Sequence, residues 1–95
     1  MRAYELMYVV RPDVDEEGLA AVIERFAQLI NNHGGEVETV NRWGKRRLAY
    51  EIRGYREGIY VLVHFKGEPA TSRELDRVLK ITDEVLRHLI VRREG

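Results

Sequence analysis

The chain has 95 residues, 44% of them hydrophobic and 34% charged, with 16 basic against 16 acidic side chains. That suffices for one packed core over residues 1–95, is too little for a second, and is too apolar for a disordered protein. The absence of cysteine excludes disulfides, thiolate catalysis and cysteine-built zinc or iron–sulfur sites, and zero net charge argues against a uniformly basic nucleic-acid binder.

Met1 to Val10 reads as a strand, with Tyr4, Leu6, Tyr8 and Val10 on one face and Ala3, Glu5, Met7 and Val9 on the other. Two largely apolar faces suggest a central strand, which Arg11-Pro12 ends. Asp13 then starts a helix, with Glu16 in capping-box spacing. Leu19, Val22, Ile23, Phe26, Leu29 and Ile30 form its core stripe, and His33 with Gly34-Gly35 stops it.

Glu36 to Arg42 alternates as a strand, and Gly44 marks a bulge or tight bend that displays Arg42, Lys45, Arg46 and Arg47. Alternation resumes at Leu48, Tyr50 and Ile52. Gly54 to Gly58 is a connection, and Ile59 to Phe65 is the second arm of a long antiparallel hairpin. Gly67-Glu68-Pro69 breaks that arm. Thr71 or Ser72 caps a second helix carrying Leu75, Val78 and Leu79, and Glu84 to Arg92 forms a last strand.

The order β-α-β-β-α-β predicts an α+β domain of the ferredoxin-like kind: a four-stranded antiparallel sheet with both helices on one face. The other face stays open, carrying Met7, Leu62 and basic residues of the hairpin.

Little in the chain suits catalysis. His33 sits at a helix stop, and His64 and His88 alternate with apolar neighbours, as sheet-packing histidines do. The acids from Asp13 to Glu17 lack calcium-loop spacing and suit a helix N-terminus; no Gly-rich phosphate loop opens a helix. We therefore expect no enzyme, metal, cofactor or small-molecule substrate. No apolar run approaches the roughly 18–20 residues of a membrane span, so no membrane is expected either and the address is the cytoplasm.

The hairpin carries more. Arg42, Lys45, Arg46, Arg47, Arg53 and Arg56 lie among Trp43, Tyr50, Tyr55 and Tyr60, with Glu51 the single acid between Arg42 and Arg56. Basic side chains bind phosphate whatever the sequence, and aromatics and guanidinium planes stack on unpaired bases. The plain alternative is a solvated edge that charge protects from pairing. An RNA-recognition motif is absent, since Gly58 is followed by the apolar run Ile59 to Val63. Such a surface suits a protein partner as well as RNA. A free-standing βαββαβ ligand-binding or regulatory module, forming homodimers through its sheet, is the alternative. An acylphosphatase-like enzyme of this topology would need an arginine in a phosphate-cradling loop, and Arg11 precedes Pro12 instead.

The whole chain resembles the bacterial small-subunit (30S) ribosomal protein S6 family. The resemblance lies in the MRAYE opening, in Gly44, Arg46-Arg47 and Leu48-Ala49-Tyr50-x-Ile52, in Gly58 and Tyr60, and in the closing run from Asp83 to Val91. It implies a non-catalytic, ribosome-associated protein that binds the central domain of 16S ribosomal RNA together with ribosomal protein S18. Arg2, Arg46, Arg47 and Tyr50 match the family's motif directly. By location and charge, Arg42, Trp43, Lys45, Arg87 and Arg92 join Arg2, Arg46 and Arg47 on the RNA side. Tyr50, Tyr60 and Leu62 take the partner side. The chain departs from the family's habit at Arg53-Gly54, where members often carry lysine just after Tyr-x-Ile.

Overall fold

A computed structural model describes residues 1–93; residues 94 and 95, included in the expected domain, lie outside the described residues. The elements run β1 (Arg2–Val10), α1 (Glu16–Asn32), β2 (Glu36–Ile52), β3 (Tyr55–Gly67), α2 (Pro69–Ile81) and β4 (Val85–Arg92). The strands form one sheet in the order β2-β3-β1-β4, with antiparallel neighbours throughout. This is the expected βαββαβ architecture, and β1 is central as its two apolar faces required.

The register shows how the core is built. Tyr4, Leu6, Tyr8 and Val10 stand opposite Phe65, Val63, Val61 and Ile59, so eight buried side chains line one face. Leu19, Val22, Phe26 and Ile30 of α1 and Leu75 and Leu79 of α2 close over that same face. Burying each such side chain contributes about 1.5–3 kcal/mol, which is why both amphipathic helices collect there. Tyr4 stacks on Phe65 at 5.2 Å, and Tyr8 meets the edge of Phe26 at 5.2 Å. The Tyr8 hydroxyl finds no hydrogen-bond partner among the described residues, and burial pushes its pKa well above the usual phenol range against a smaller opposing pull from Arg42.

Both helices start elsewhere than expected. The cap of α1 is Asp15, not Asp13: its Oδ1 accepts from the Gly18 amide at 2.8 Å, while Asp13 turns back to Arg11 at 3.4 Å. Helix α2 starts at Pro69, ahead of Thr71 and Ser72, and no side chain caps it. Proline has no amide to satisfy and its fixed φ already fits the first turn. Thr71 is instead buried, its hydroxyl donating to the His33 carbonyl at 3.3 Å, so it joins the end of α1 to α2.

The hairpin also differs in its turn. Strand β3 starts at Tyr55, and the expected connection over residues 54–58 shrinks to Arg53-Gly54, with φ of 49° and 84°. Two successive positive φ values match the twist of a tight hairpin. Gly58 serves another purpose: a Cβ there would lie 2.2 Å from Val9 Cγ1. The bulge expected at Gly44 is present. Arg42 faces Val61 and Gly44 (φ 81°) faces Tyr60, which leaves Trp43 as the extra residue. A second shift, between Val37 and Thr39, leaves Glu38 unpaired in the same way.

Candidate nucleic-acid and partner interface

Directly opposed residues in a sheet share a face, so the pairing also lays out the helix-free side. Its middle row is Asn41, Leu62, Met7 and Leu89 across β2, β3, β1 and β4. One row to one side stand Thr39, His64, Glu5 and Val91; on the other stand Gly44, Tyr60, Val9 and Arg87. Met7 and Leu62 therefore lie on the open face as expected. Leu89 (48% exposed) and Val91 (40% exposed) extend that apolar band to the β4 edge.

Charge is unevenly balanced around the band. On the Glu5 side it is paired: His64 Nε2 lies 3.0 Å from Glu5 Oε2, and Glu38 meets Lys66 at 3.7 Å and Arg93 at 3.6 Å. Since β2 and β4 are opposite edges, that last pair spans the open face. On the Tyr60 side, Arg46 stands opposite Gly58 and Arg87 opposite Val9, and both are exposed. Among the described residues neither makes an ion pair, and the same holds for Lys45 and Arg47. The Arg46 Nε donates to the Trp43 carbonyl at 3.3 Å, which holds the bulge against the strand.

The expected RNA-side residues do not form one patch. Lys45 and Arg47 stand opposite Ile59 and Glu57, giving them the helix-side parity, while Arg46 between them has the open-side parity. The basic run is thus a rim seen from both faces of the β2 edge. Arg42 is on the helix side and already engaged, its Nη2 lying 2.7 Å from Glu16 Oε1 at the start of α1. Trp43 is 47% exposed on the bulge. Arg2 and Arg92 flank the opposite end of the sheet, opposite Gly67 and Tyr4 respectively. Tyr60 and Leu62 are half-buried in the open face, whereas Tyr50, 62% exposed, lies beyond the regular ladder near the hairpin tip.

The histidines fall on opposite faces. His64 pairs with Glu5 on the open side, and His88 Nε2 lies 2.7 Å from Asp76 Oδ1 on the helix side. Each is held by one carboxylate, and among the described residues no three acids or histidines converge as a metal site.

A basic rim beside an apolar, helix-free sheet face has the makings of a joint RNA and protein surface. The family described as "Ribosomal protein S6" matches residues 3–92. The chain belongs to the ribosomal protein S6 family. It is 58% identical over 94 residues to the small ribosomal subunit protein bS6 of Moorella thermoacetica, covering 99% of this chain and 96% of that one. The crystal structure of the 30S ribosomal protein S6 from Thermotoga maritima superposes with a TM-score of 0.91 at 33% identity, covering 97% of this chain and 87% of the other. The C-terminal domain of the MgtC protein from Mycobacterium tuberculosis reaches a TM-score of 0.62 at 16% identity over 99% of this chain and 89% of that chain, a likeness of fold alone. S6 proteins are structural and non-enzymatic, so the sequence's poverty in catalytic groups has its explanation.

Within this S6 fold, two features escaped the sequence reading. Leu89 and Val91 carry the open face to the β4 edge; their alternation with His88 and Ile90 was the available signal. Arg53 reaches back to the start of β4, its Nη2 donating to the carbonyls of Asp83 at 3.0 Å and Val85 at 2.9 Å. No sequence pattern announces that contact.

Proposed function

We propose that this S6 protein acts in the cytoplasm as a structural constituent of the small ribosomal subunit, binding the central domain of 16S rRNA together with S18. The observation that carries this reading is the basic rim of Lys45, Arg46 and Arg47 at the β2 edge, with Arg87 across the sheet on β4, none of them ion-paired among the described residues, around an open face whose apolar row is Leu62, Met7 and Leu89. Phosphate contacts at the rim supply affinity and orientation, and Arg2 and Arg92 add charge at the far end of the sheet. The exposed Trp43 offers a face for stacking on an unpaired base. Tyr60 and Leu62, with Tyr50 near the tip, meet the protein partner through apolar contact.

The test is assembly of this chain with S18 and a central-domain rRNA fragment over a salt series. Replacing Arg46 and Arg47 together with alanine is expected to weaken the complex and to lower its salt slope by about two, leaving the thermal midpoint of the free chain unchanged. Full assembly at an unchanged slope rules out the assignment of these residues. A stable homodimer indifferent to both RNA and S18 rules out the function.

A further inference from the structure

Arg53 is the one non-glycine residue with positive φ among the described residues, at 49°. That conformation favours glycine and asparagine, and an arginine there is held against its own backbone preference. Residues kept in such states persist where their surroundings over-determine them. Here the side chain supplies the reason. Its guanidinium donates to the carbonyls of Asp83 and Val85, and its Nη1 lies 3.6 Å from the Asp83 carboxylate. Asp83 also takes Arg11 Nη1 at 2.8 Å, so one short turn before β4 gathers the end of β1 and the tip of the β2–β3 hairpin.

The hairpin needs this hold because its own ladder fails near the tip. Between the pairs Arg47–Glu57 and Ile52–Tyr55, β2 carries Leu48 to Glu51 while β3 carries only Arg56. Four residues against one cannot form continuous cross-strand hydrogen bonds, so the ladder alone does not fix the direction of the arm. The basic residues Lys45, Arg46 and Arg47 stand immediately before this gap.

We propose that Arg53 is a positioning residue for RNA binding: its guanidinium fastens the hairpin tip to the start of β4 and thereby sets the angle at which Arg46 and Arg47 are presented to phosphates. The proposal rests on the rRNA-binding reading above, but its structural half does not. Arg53→Gly isolates the side chain, since glycine accepts the turn's positive φ without strain.

In the free chain, amide hydrogen exchange across residues 48–57 of that variant is expected to rise about tenfold, while the strands of the core keep their protection. With S18 and the central-domain fragment, affinity is expected to fall about threefold to tenfold with the salt slope unchanged, because no phosphate contact has been removed. A slope reduced by about one identifies Arg53 as a phosphate ligand and overturns the proposal. Unchanged exchange, or unchanged affinity, overturns it as well. Failure of the unaltered chain to bind RNA overturns the underlying function instead, and the exchange measurement, which needs no RNA, tells the two apart.

Discussion

His88 Nε2 lies 2.7 Å from Asp76 Oδ1, fastening the edge strand β4 to α2 on the helix side of the sheet. The hydrogen bond from His88, and secondarily one from Lys80 at 3.1 Å, hold the Asp76 carboxyl below its ordinary value of 3.8. A carboxylate whose folded pKa is depressed contributes stability in full above its unfolded pKa, and loses it as pH falls through the folded one. Stability should therefore decline on acidification below 3.8, with Asp76 among the groups responsible. Asp76→Asn is expected to lower stability at neutral pH and to flatten that acid limb, measured as urea midpoints from pH 7 downward. Parallel acid limbs in the two proteins would remove Asp76 from the account. The side chain is 41% exposed, so solvent screening keeps the effect modest.

Gly58 allows the open face to close around Val9, which is only 1% exposed. An alanine Cβ at 58 would lie 2.2 Å from Val9 Cγ1 and 3.4 Å from the Val10 carbonyl oxygen. The first distance is far inside contact, and β1 and β3 are the two central strands, with little room to part. Gly58→Ala is expected to destabilise the fold by about 1–3 kcal/mol in chemical denaturation. An unchanged midpoint would mean that Val9 can turn away at no cost.

Why the architecture was legible and the details were not follows from the range of the forces involved. The βαββαβ order rests on periodicities, and each element of this chain keeps its own period: Tyr4 to Val10 alternate, and Leu19 to Ile30 recur every three or four residues. The first cap was misplaced because Asp13 and Asp15 both precede the apolar stripe; Asp13 is drawn off by Arg11. The hairpin turn was overextended because Gly54 and Gly58 look alike in sequence. Gly54 answers a local need for positive φ, whereas Gly58 answers to Val9 on a different strand. The basic site was compressed for a similar reason. A run from Arg42 to Arg47 reads as one patch, but the Trp43 bulge and the pleat send alternate members to opposite faces.

The Tyr8 hydroxyl is buried without a hydrogen-bond partner among the described residues, while its ring packs on the edge of Phe26. A buried polar group left unpaired costs about 1–3 kcal/mol, and phenylalanine keeps the ring without that cost. Tyr8→Phe is expected to leave stability unchanged or raise it by up to that amount, read from denaturation midpoints. A clear loss of stability would show that the hydroxyl is satisfied in solution.

Leu89 is 48% exposed at the end of the apolar row Leu62–Met7–Leu89, on a strand whose outer edge is unpaired. A charge placed there costs the free protein little, because the site is already wet. In a complex with S18 on this face the same charge would be stripped of water, and the apolar contact of Leu89 would be lost. Leu89→Asp is expected to leave the thermal midpoint nearly unchanged and to weaken S18 binding at least about tenfold, by titration calorimetry. Undiminished binding would move the partner off the β4 side of the sheet.

Among the described residues Arg42 differs from Lys45, Arg46 and Arg47 in making an ion pair, its Nη2 lying 2.7 Å from Glu16 Oε1. Their side chains are 41% and 75% exposed, so the pair contributes less than about 1 kcal/mol to folding, and Arg42→Ala should barely move the denaturation midpoint. The more telling effect is on RNA. A guanidinium neutralised by a carboxylate, on the helix side of the sheet, releases few counterions when a phosphate approaches. Arg42→Ala is therefore expected to leave the salt slope of rRNA assembly unchanged, whereas Arg46→Ala lowers it by about one. Glu16→Ala supplies the complementary case: freeing Arg42 from its partner should strengthen non-specific RNA binding at low salt. If Arg42→Ala lowers the slope as much as Arg46→Ala does, the pair opens in the complex, and Arg42 joins the RNA side on which its charge and location first placed it.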